Sequence, residues 1–121
     1  MILYIIRGVP GSGKTTLGNK LAPEYNFAAD DYFKDIKWSP KLLDEAHKDC
    51  QNNVEIAMMT GIETISVSNT FVHQWEIEPY RKMAEKYNYD IIEIIVKSNF
   101  TSIHSVPETK VEKMRSEFEY V

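Results

Sequence analysis

The chain has 121 residues, a formal net charge of −4 at pH 7 and 43% hydrophobic residues, which suits one globular domain with one core. No block of Lys and Arg stands out, which argues against tight, sequence-independent binding to duplex nucleic acid and leaves contact with a nucleotide or a nucleic-acid end open. The single Cys50 cannot form an internal disulfide, and no segment has the length of a membrane span. We therefore expect a single cytoplasmic domain over residues 1–121, with no membrane partner.

The first seven residues and the short helix that follows them are the start of the predicted fold. Residues 1–7 are largely apolar on both faces, as expected of a central parallel strand that helices cover on each side. A helical pattern over residues 15–22 ends at a proline. Between these two elements lies a glycine-rich loop, so the local order is strand, loop, helix.

That loop reads GVPGSGKT and matches the pattern G-x-x-x-x-G-K-[ST] at every fixed position. Its glycines let backbone N–H groups turn towards one anion, Lys14 brings a mobile positive charge to the β- and γ-phosphates of a nucleotide, and the Thr15 hydroxyl can ligate Mg²⁺. The helix that follows adds the partial positive charge of its N-terminus. We predict that the nucleotide binds to eight residues: Gly8, Pro10, Gly11, Ser12, Gly13, Lys14, Thr15 and Thr16.

A pair of acids follows the next predicted strand. Residues 25–29 are mildly apolar and predict a short second strand, with Asp30 and Asp31 at its carboxyl end. Ligands of open α/β sheets lie beyond the carboxyl ends of the strands. One of the two acids is therefore expected to point into the site, while the other caps the following turn.

The longest predicted helix covers residues 40–60, where a Ser-Pro start signal precedes apolar residues at helical spacing. Gly61 is placed to end this helix in a left-handed conformation. The helical residue Cys50 has no activating neighbours in the sequence and is interpreted as a packing residue. Residues 62–68 alternate and carry β-branched side chains, which predicts a third strand.

The last part of the chain predicts two helices with a buried strand between them. A helical stretch over residues 72–87 is expected to kink or divide at Pro79. Four of its residues fall at spacings that suit one buried face: Trp75, Tyr80, Met83 and Tyr87. Residues 89–97 predict a fourth buried strand, and Pro107 starts the last helix. This alternation predicts an α/β fold in which a four-stranded parallel sheet carries helices on both faces and has the first strand in its interior.

Five stretches now support a family resemblance: RGVPGSGKTTL, AADDYF, LDEAHKDCQNNVEIAMMTGI, SNTFVHQWEIEPYRKMA and SIHSVPETKVEKMRSEFE. In this order they resemble the polynucleotide-kinase-like P-loop kinases, especially the ATP-binding domains of NEDD4-binding-protein-2-like proteins and more distantly phage polynucleotide kinase. The resemblance covers residues 7–119 and implies the P-loop NTPase fold. It also implies ATP or GTP with Mg²⁺, and transfer of the γ-phosphate to a hydroxyl of a nucleic-acid 5′ end or a small acceptor.

The resemblance implies roles for particular residues. Lys14 and Asp30 match catalytic residues, Asp30 being the carboxylate that accepts the proton of the attacking hydroxyl. Thr15 and Asp30 are the expected metal-binding residues. Asn69, with the threonine after it, matches a motif that usually reads Asp-Asn-Thr-Asn. Arg115 lies on the last helix and is expected to contact the nucleotide, stacking on its base.

Two departures from the family pattern bear on catalysis. Ser68 stands where the acid of that third-strand motif is expected. The helical lid with arginines is shortened, and no Arg or Lys lies between Lys97 and Lys110. Arginines of that kind can be worth about 10³–10⁵ in rate. Arg81 and Arg115 are the candidate replacements.

The sequence leaves several alternatives open. The chain is a kinase acting on a hydroxyl, a nucleotide-binding module with weak or lost catalysis, or a simple NTPase. On the acceptor side, Tyr32 and Trp38 either stack on an acceptor base or pack between neighbouring elements. The acceptor itself, the choice between ATP and GTP, and the oligomeric state are not encoded in a readable motif.

Overall fold

The computed structural model describes residues 1–9 and 11–96. The strands are β1 (Ile2–Arg7), β2 (Asn26–Phe27), β3 (Thr64–Asn69) and β4 (Asp90–Ile95). The helices are α1 (Lys14–Leu21), α2 (Leu43–Thr60) and α3 (Glu78–Tyr87). Three 3-10 turns lie between them, at Ala29–Phe33, Pro40–Leu42 and Gln74–Glu76. We call the first of these the acid turn because it carries Asp30 and Asp31.

All four strands form one parallel sheet in the order β2-β3-β1-β4, which confirms the predicted fold. The first strand is interior, as predicted: Ile2 is in register with Thr64 of β3 and with Asp90 of β4. Because all strands run the same way, the loops after β1, β2 and β3 meet at one edge of the sheet. This carboxyl edge carries the phosphate loop, the acid turn and the end of β3.

Helices cover both faces of the sheet. The core lies between the sheet and α2 with α3, where alternate side chains of β1 and β3 are buried, namely Leu3, Ile5, Ile65 and Val67. The short helix α1 packs on the opposite face against β3 and β1. The strands at the middle of the sheet are therefore buried on both sides, as a parallel sheet requires.

The predicted 40–60 helix is present as a 3-10 turn that leads into α2. Ser39 accepts a hydrogen bond from the Lys41 N–H at its start. Gly61 ends it with φ 83°, and the N–H groups of Gly61 and Ile62 bond back to the carbonyls of Met58 and Ala57. This left-handed ending confirms the predicted role of the glycine.

Two predicted elements differ in their boundaries. β2 stops at Phe27, because the acid turn already begins at Ala29. The 72–87 stretch is divided ahead of Pro79: a 3-10 turn ends at Glu76 and α3 begins at Glu78, with the proline in its first turn where its missing N–H costs nothing.

That division also overturns the predicted burial of Trp75. Tyr80 and Met83 lie on the buried face of α3, but Trp75 belongs to the separate 3-10 turn and is 72% exposed. Likewise β4 is an edge strand of half-buried and exposed residues rather than a buried one, and Ile92 is 42% exposed. In the described part of the chain β4 pairs with β1 on one side only.

The predicted last helix and the connection before it lie outside the described residues. Pro10, within the phosphate-binding motif, is also outside them. Across residues 1–9 and 11–96, no helix has both the length and the apolar character needed to cross a membrane.

Candidate nucleotide-binding site

The loop between β1 and α1 has the backbone geometry that an anion site needs. Gly11 and Gly13 have φ 80° and 92°, in the left-handed region that side chains avoid, and Gly13 is the residue from which α1 begins. Among the described residues, no side chain caps α1 and no acid lies in its first turn. The first N–H groups of this helix have no intrahelical partner, and they belong to Lys14, Thr15 and Thr16.

Gly8 opens the loop at a point where a side chain has no room. A Cβ there would lie 2.5 Å from Ser12 Oγ and 3.1 Å from the Val96 carbonyl oxygen. The Gly8 N–H donates to the Thr70 carbonyl at 3.3 Å, which ties the loop to the end of β3. Ser12 is 1% exposed, and its Oγ has no hydrogen-bond partner in the part of the chain that the structure describes. An unpaired buried hydroxyl beside free N–H groups fits a bound phosphate.

Lys14 and Asp30 lie near enough at this edge for their charges to interact. Burial lowers the pKa of Lys14, and the negative charge of Asp30 opposes that effect. Asp30 itself is exposed, at the open side of the site. A phosphate bound in the loop would add a second negative charge beside Lys14 and favour its charged form.

One of the two acids caps the turn, as the sequence analysis expected. It is Asp31, whose Oδ2 accepts the Ala28 N–H at 3.2 Å. Asp30 remains the candidate site acid. The turn is held from β3 by Asn69, whose Oδ1 accepts the Ala29 N–H at 2.8 Å. Asn69 is buried, so this bond fixes the backbone next to Asp30 against the end of the sheet.

Ser68 takes a structural position at the end of β3. It is buried, and its hydroxyl donates to Asn26 Oδ1 at 2.9 Å, with the Lys14 carbonyl at 3.4 Å. The described residues contain no group of three or more His, Cys, Asp or Glu that could hold a metal ion. Thr15 and Asp30 supply the hydroxyl and carboxylate oxygens that suit Mg²⁺, which is commonly bound by few protein ligands together with substrate phosphates.

Arg7 is a site residue that the sequence analysis did not single out. It is fully buried at the end of β1, and its Nε and Nη2 both donate to the Phe71 carbonyl, at 3.1 and 2.9 Å. Its Nη1 forms an ion pair of 2.8 Å with Glu93 of β4. The sequence offered one signal for its importance: a charged residue at the end of an apolar strand, directly before the phosphate loop. Arg7 holds the loop after β3 against the strand that carries the phosphate loop.

Arg81, a candidate replacement for a lid arginine, is engaged elsewhere. Its Nη2 donates to Gln74 at 2.6 Å, and it forms ion pairs with Glu78 at 3.6 Å and Glu93 at 3.5 Å. These contacts hold it on the flank of α3. The other candidate, Arg115, lies outside the described residues.

The two aromatic residues proposed for the acceptor side, Tyr32 and Trp38, differ in their contacts. Tyr32 packs: its hydroxyl donates to Glu45 of α2 at 3.1 Å, and its ring meets Phe33 edge to face at 5.4 Å. Trp38 is 52% exposed, with its ring 6.5 Å from that of Phe33. Cys50 is buried in the core, and burial raises the pKa of its thiol to about 11, as expected of a packing residue.

The whole of this architecture, from β1 onward, matches one protein family. Residues 3–105 match the AAA domain family. The chain belongs to this family. Human NEDD4-binding protein 2 is 32% identical over 99 residues, or 76% of this chain, and mouse 2′,3′-cyclic-nucleotide 3′-phosphodiesterase is 27% identical over 94 residues, or 74%. The matched regions are 6% and 22% of those relatives, so this AAA domain corresponds to a small part of each.

Solved structures share its fold. A protein of Chloroflexus aurantiacus assigned as a kinase has a TM-score of 0.65 and 20% identity, covering 78% of this chain and 58% of that one. The APS kinase CysC of Mycobacterium tuberculosis has a TM-score of 0.59 and 12% identity, covering 96% and 95%. At such identities the likeness concerns the fold alone. Together with the family match, it makes this AAA domain a P-loop kinase-like domain.

Proposed function

We propose that this AAA domain binds ATP or GTP with Mg²⁺ and transfers the γ-phosphate to a hydroxyl of a nucleic-acid 5′ end, a nucleoside or another small acceptor. We also propose that residues 1–121 act as one domain in the cytoplasm. The observation that supports the first proposal is an exposed Asp30 whose negative charge acts on the partly buried Lys14 of the phosphate loop. A carboxylate there repels phosphate directly, but it suits a Mg²⁺ ion and an approaching hydroxyl.

Each residue of the site has a role in this proposal. The N–H groups at the start of α1 and the Ser12 hydroxyl bind the nucleotide phosphates, and Lys14 neutralises charge on the transferred group. Asp30 orients the acceptor hydroxyl and takes its proton as the oxygen–phosphorus bond forms and the bond to the leaving diphosphate breaks. Mg²⁺, held by Thr15 and Asp30, would neutralise charge on the phosphate oxygens.

A transfer assay tests the proposal directly. Label from [γ-³²P]ATP or GTP is followed into 5′-hydroxyl oligonucleotides and nucleosides, with the wild type and with Asp30→Asn. Loss of the base should lower the rate by about 10²–10⁴-fold while calorimetry still shows nucleotide binding. Asp31→Asn is the matched control, because it removes the neighbouring negative charge from a residue whose side chain caps the acid turn. Nucleotide binding by the wild type with no transfer to any acceptor would contradict the kinase proposal.

Ser68 favours a second candidate, a nucleotide-binding module with weak or lost catalysis. Its hydroxyl donates to Asn26 Oδ1 and lies 3.4 Å from the Lys14 carbonyl. A serine at this position supplies no carboxylate to support a metal ion or a water molecule. This candidate predicts nucleotide affinity that survives Asp30→Ala but not Lys14→Ala, with turnover at background. A simple NTPase instead predicts phosphate release without an acceptor, still dependent on Asp30. The same titration and acceptor screen separate the three.

A further inference from the structure

The side chain of Asn26 lies between the sheet and the phosphate-binding helix. Its Oδ1 accepts hydrogen bonds from two β3 hydroxyls, Ser66 at 2.7 Å and Ser68 at 2.9 Å. Its Nδ2 donates to the Thr15 carbonyl at 3.4 Å and to Asn19 Oδ1 at 3.2 Å. Both donors and both acceptor positions of the amide are therefore used, which permits only one orientation of the group.

These bonds connect the sheet to the turn of α1 that carries the phosphate-binding N–H groups. Asn26 reaches the carbonyl of Thr15, Ser68 lies 3.4 Å from that of Lys14, and Ser66 lies 3.3 Å from that of Gly18. Asn26 thus donates to α1, while the two serine hydroxyls, whose single hydrogens go to Asn26 Oδ1, hold its amide in place beside the helix carbonyls. Because N–H and C=O groups of one turn move together, this contact sets where the first N–H groups of the helix point.

Gly18 shows how closely the amide approaches the helix. A Cβ at this position would come within 2.6 Å of Asn26 Cγ and 2.7 Å of Asn26 Nδ2. No real side chain fits at that distance unless the amide moves, and four hydrogen bonds hold the amide in place. Apart from proline, glycine is the least favourable residue in a helix interior. The close approach of Asn26 gives a reason for a glycine in the middle of α1.

We propose that Asn26, oriented by Ser66 and Ser68, is the positioning residue that sets the phosphate-binding turn of α1. The hydroxyls of Ser66 and Ser68 hold the Asn26 amide, and the amide aligns Lys14 and Thr15 from the side of the sheet. Ser68 stands where the resemblance expects an acid. The inference rests on the nucleotide binding in the proposed function. It does not depend on phosphoryl transfer.

Gly18→Ala is the sharpest test, because it separates alignment from stability. Alanine has a higher helix propensity than glycine, which by itself would raise the melting temperature. The added methyl group at the same time displaces the Asn26 amide. We expect the dissociation constant for MgATP, measured by calorimetry, to rise about tenfold, as the loss of about one good hydrogen bond would give. A purely structural role would move affinity only in step with the melting temperature.

Asn26→Ala should weaken MgATP binding by a similar factor, and Gly18→Ala added to it should cost nothing more, since the obstructing amide is gone. Asn26→Asp keeps the acceptor for Ser66 and Ser68 but loses the donor to Thr15, so it should also bind weakly even if the alanine variant fails to fold. Asn19→Ala is the matched control, because it removes an exposed partner and leaves the bond to Thr15; its affinity should stay within about twofold.

Each outcome decides between the proposals. Wild-type affinity in Gly18→Ala or Asn26→Asp would overturn the positioning role while the proposed nucleotide binding stands. The same would follow if Gly18→Ala lowered affinity equally with and without Asn26. If the wild type itself bound no MgATP or MgGTP, the proposed function would fail, and this inference with it.

Discussion

The two halves of the carboxyl edge are built in different ways. The nucleotide half, between β1 and α1, is made mostly of backbone: glycines with positive φ and the free N–H groups of a helix start. The acceptor half, at the ends of β2 and β3, is made of side chains that reach across the sheet. Asn69 holds the acid turn, and Arg7 holds the Phe71 carbonyl.

This difference has a consequence for function. The phosphate loop presents its N–H groups from the backbone, so phosphate binding depends on few side chains: Lys14, Ser12 and the Asn26 amide that we propose aligns the turn. The acceptor half depends on side chains, and here one of them, Ser68, departs from the pattern that the family resemblance implies. If the proposed transfer takes place, we therefore expect it to be separable from binding: Asp30→Asn should lower transfer and leave nucleotide binding in place, whereas changes in the phosphate loop should lower both.

Lys14→Ala should have the largest effect and should affect both halves at once. The side chain supplies the mobile positive charge of the loop, so nucleotide affinity should fall, and any transfer rate should fall by about 10²–10³-fold. Calorimetry with MgATP and the transfer assay measure the two effects. Unchanged affinity in this variant would show that the nucleotide binds elsewhere.

Arg7→Met should break the connection between the halves. It leaves the buried Phe71 carbonyl without these two donors and removes one of the charge partners of Glu93, at a cost of about 3 kcal/mol in the free energy of unfolding. Urea denaturation measures this loss. Arg81→Met is the matched control: its side chain is 36% exposed, and its ion pairs should be worth about 1 kcal/mol or less. Equal losses from both variants would contradict the linking role of Arg7.

Ser68→Asp tests whether the acceptor half can accommodate the acid that the resemblance expects. The new carboxylate would face two acceptors, Asn26 Oδ1 and the Lys14 carbonyl, in a buried position. We expect a loss of about 1–3 kcal/mol in the free energy of unfolding, measured by urea denaturation, and no gain in transfer. A stable variant with faster transfer would show that the strand end is built for an acid after all.

Trp75→Ala should have the smallest effect. With 72% of the side chain exposed, its removal should change the free energy of unfolding by about 0.5 kcal/mol or less. Met83→Ala, on the buried face of α3, should cost about 2–5 kcal/mol in the same thermal or urea experiment. A large loss from Trp75→Ala would mean that this ring is covered in the folded protein.

Local sequence signals predicted much of the fold. The strand–loop–helix order, the left-handed Gly61 and the parallel sheet with an interior first strand are all confirmed. Pro79 correctly marked a division, but its exact place, and with it the face on which Trp75 lies, was wrong. Helical spacing counts residues along one continuous helix, and the break at Ile77 resets that count.

In the candidate site, too, local features were predictable from the sequence and long-range contacts were not. The sequence by itself determined the phosphate loop, because left-handed glycines and a helix start are properties of adjacent residues. Only the tertiary structure decided that Asn69 holds Ala29, that Arg7 spans to Phe71 and Glu93, and that Asn26 and Ser68 face α1. Apart from the bonds of Asn26 to α1, which span 7 and 11 positions, these partners lie 40 to 86 positions apart in the chain, and nothing local marks a polar side chain as half of such a pair. Only the order of strands in the sheet brings them together.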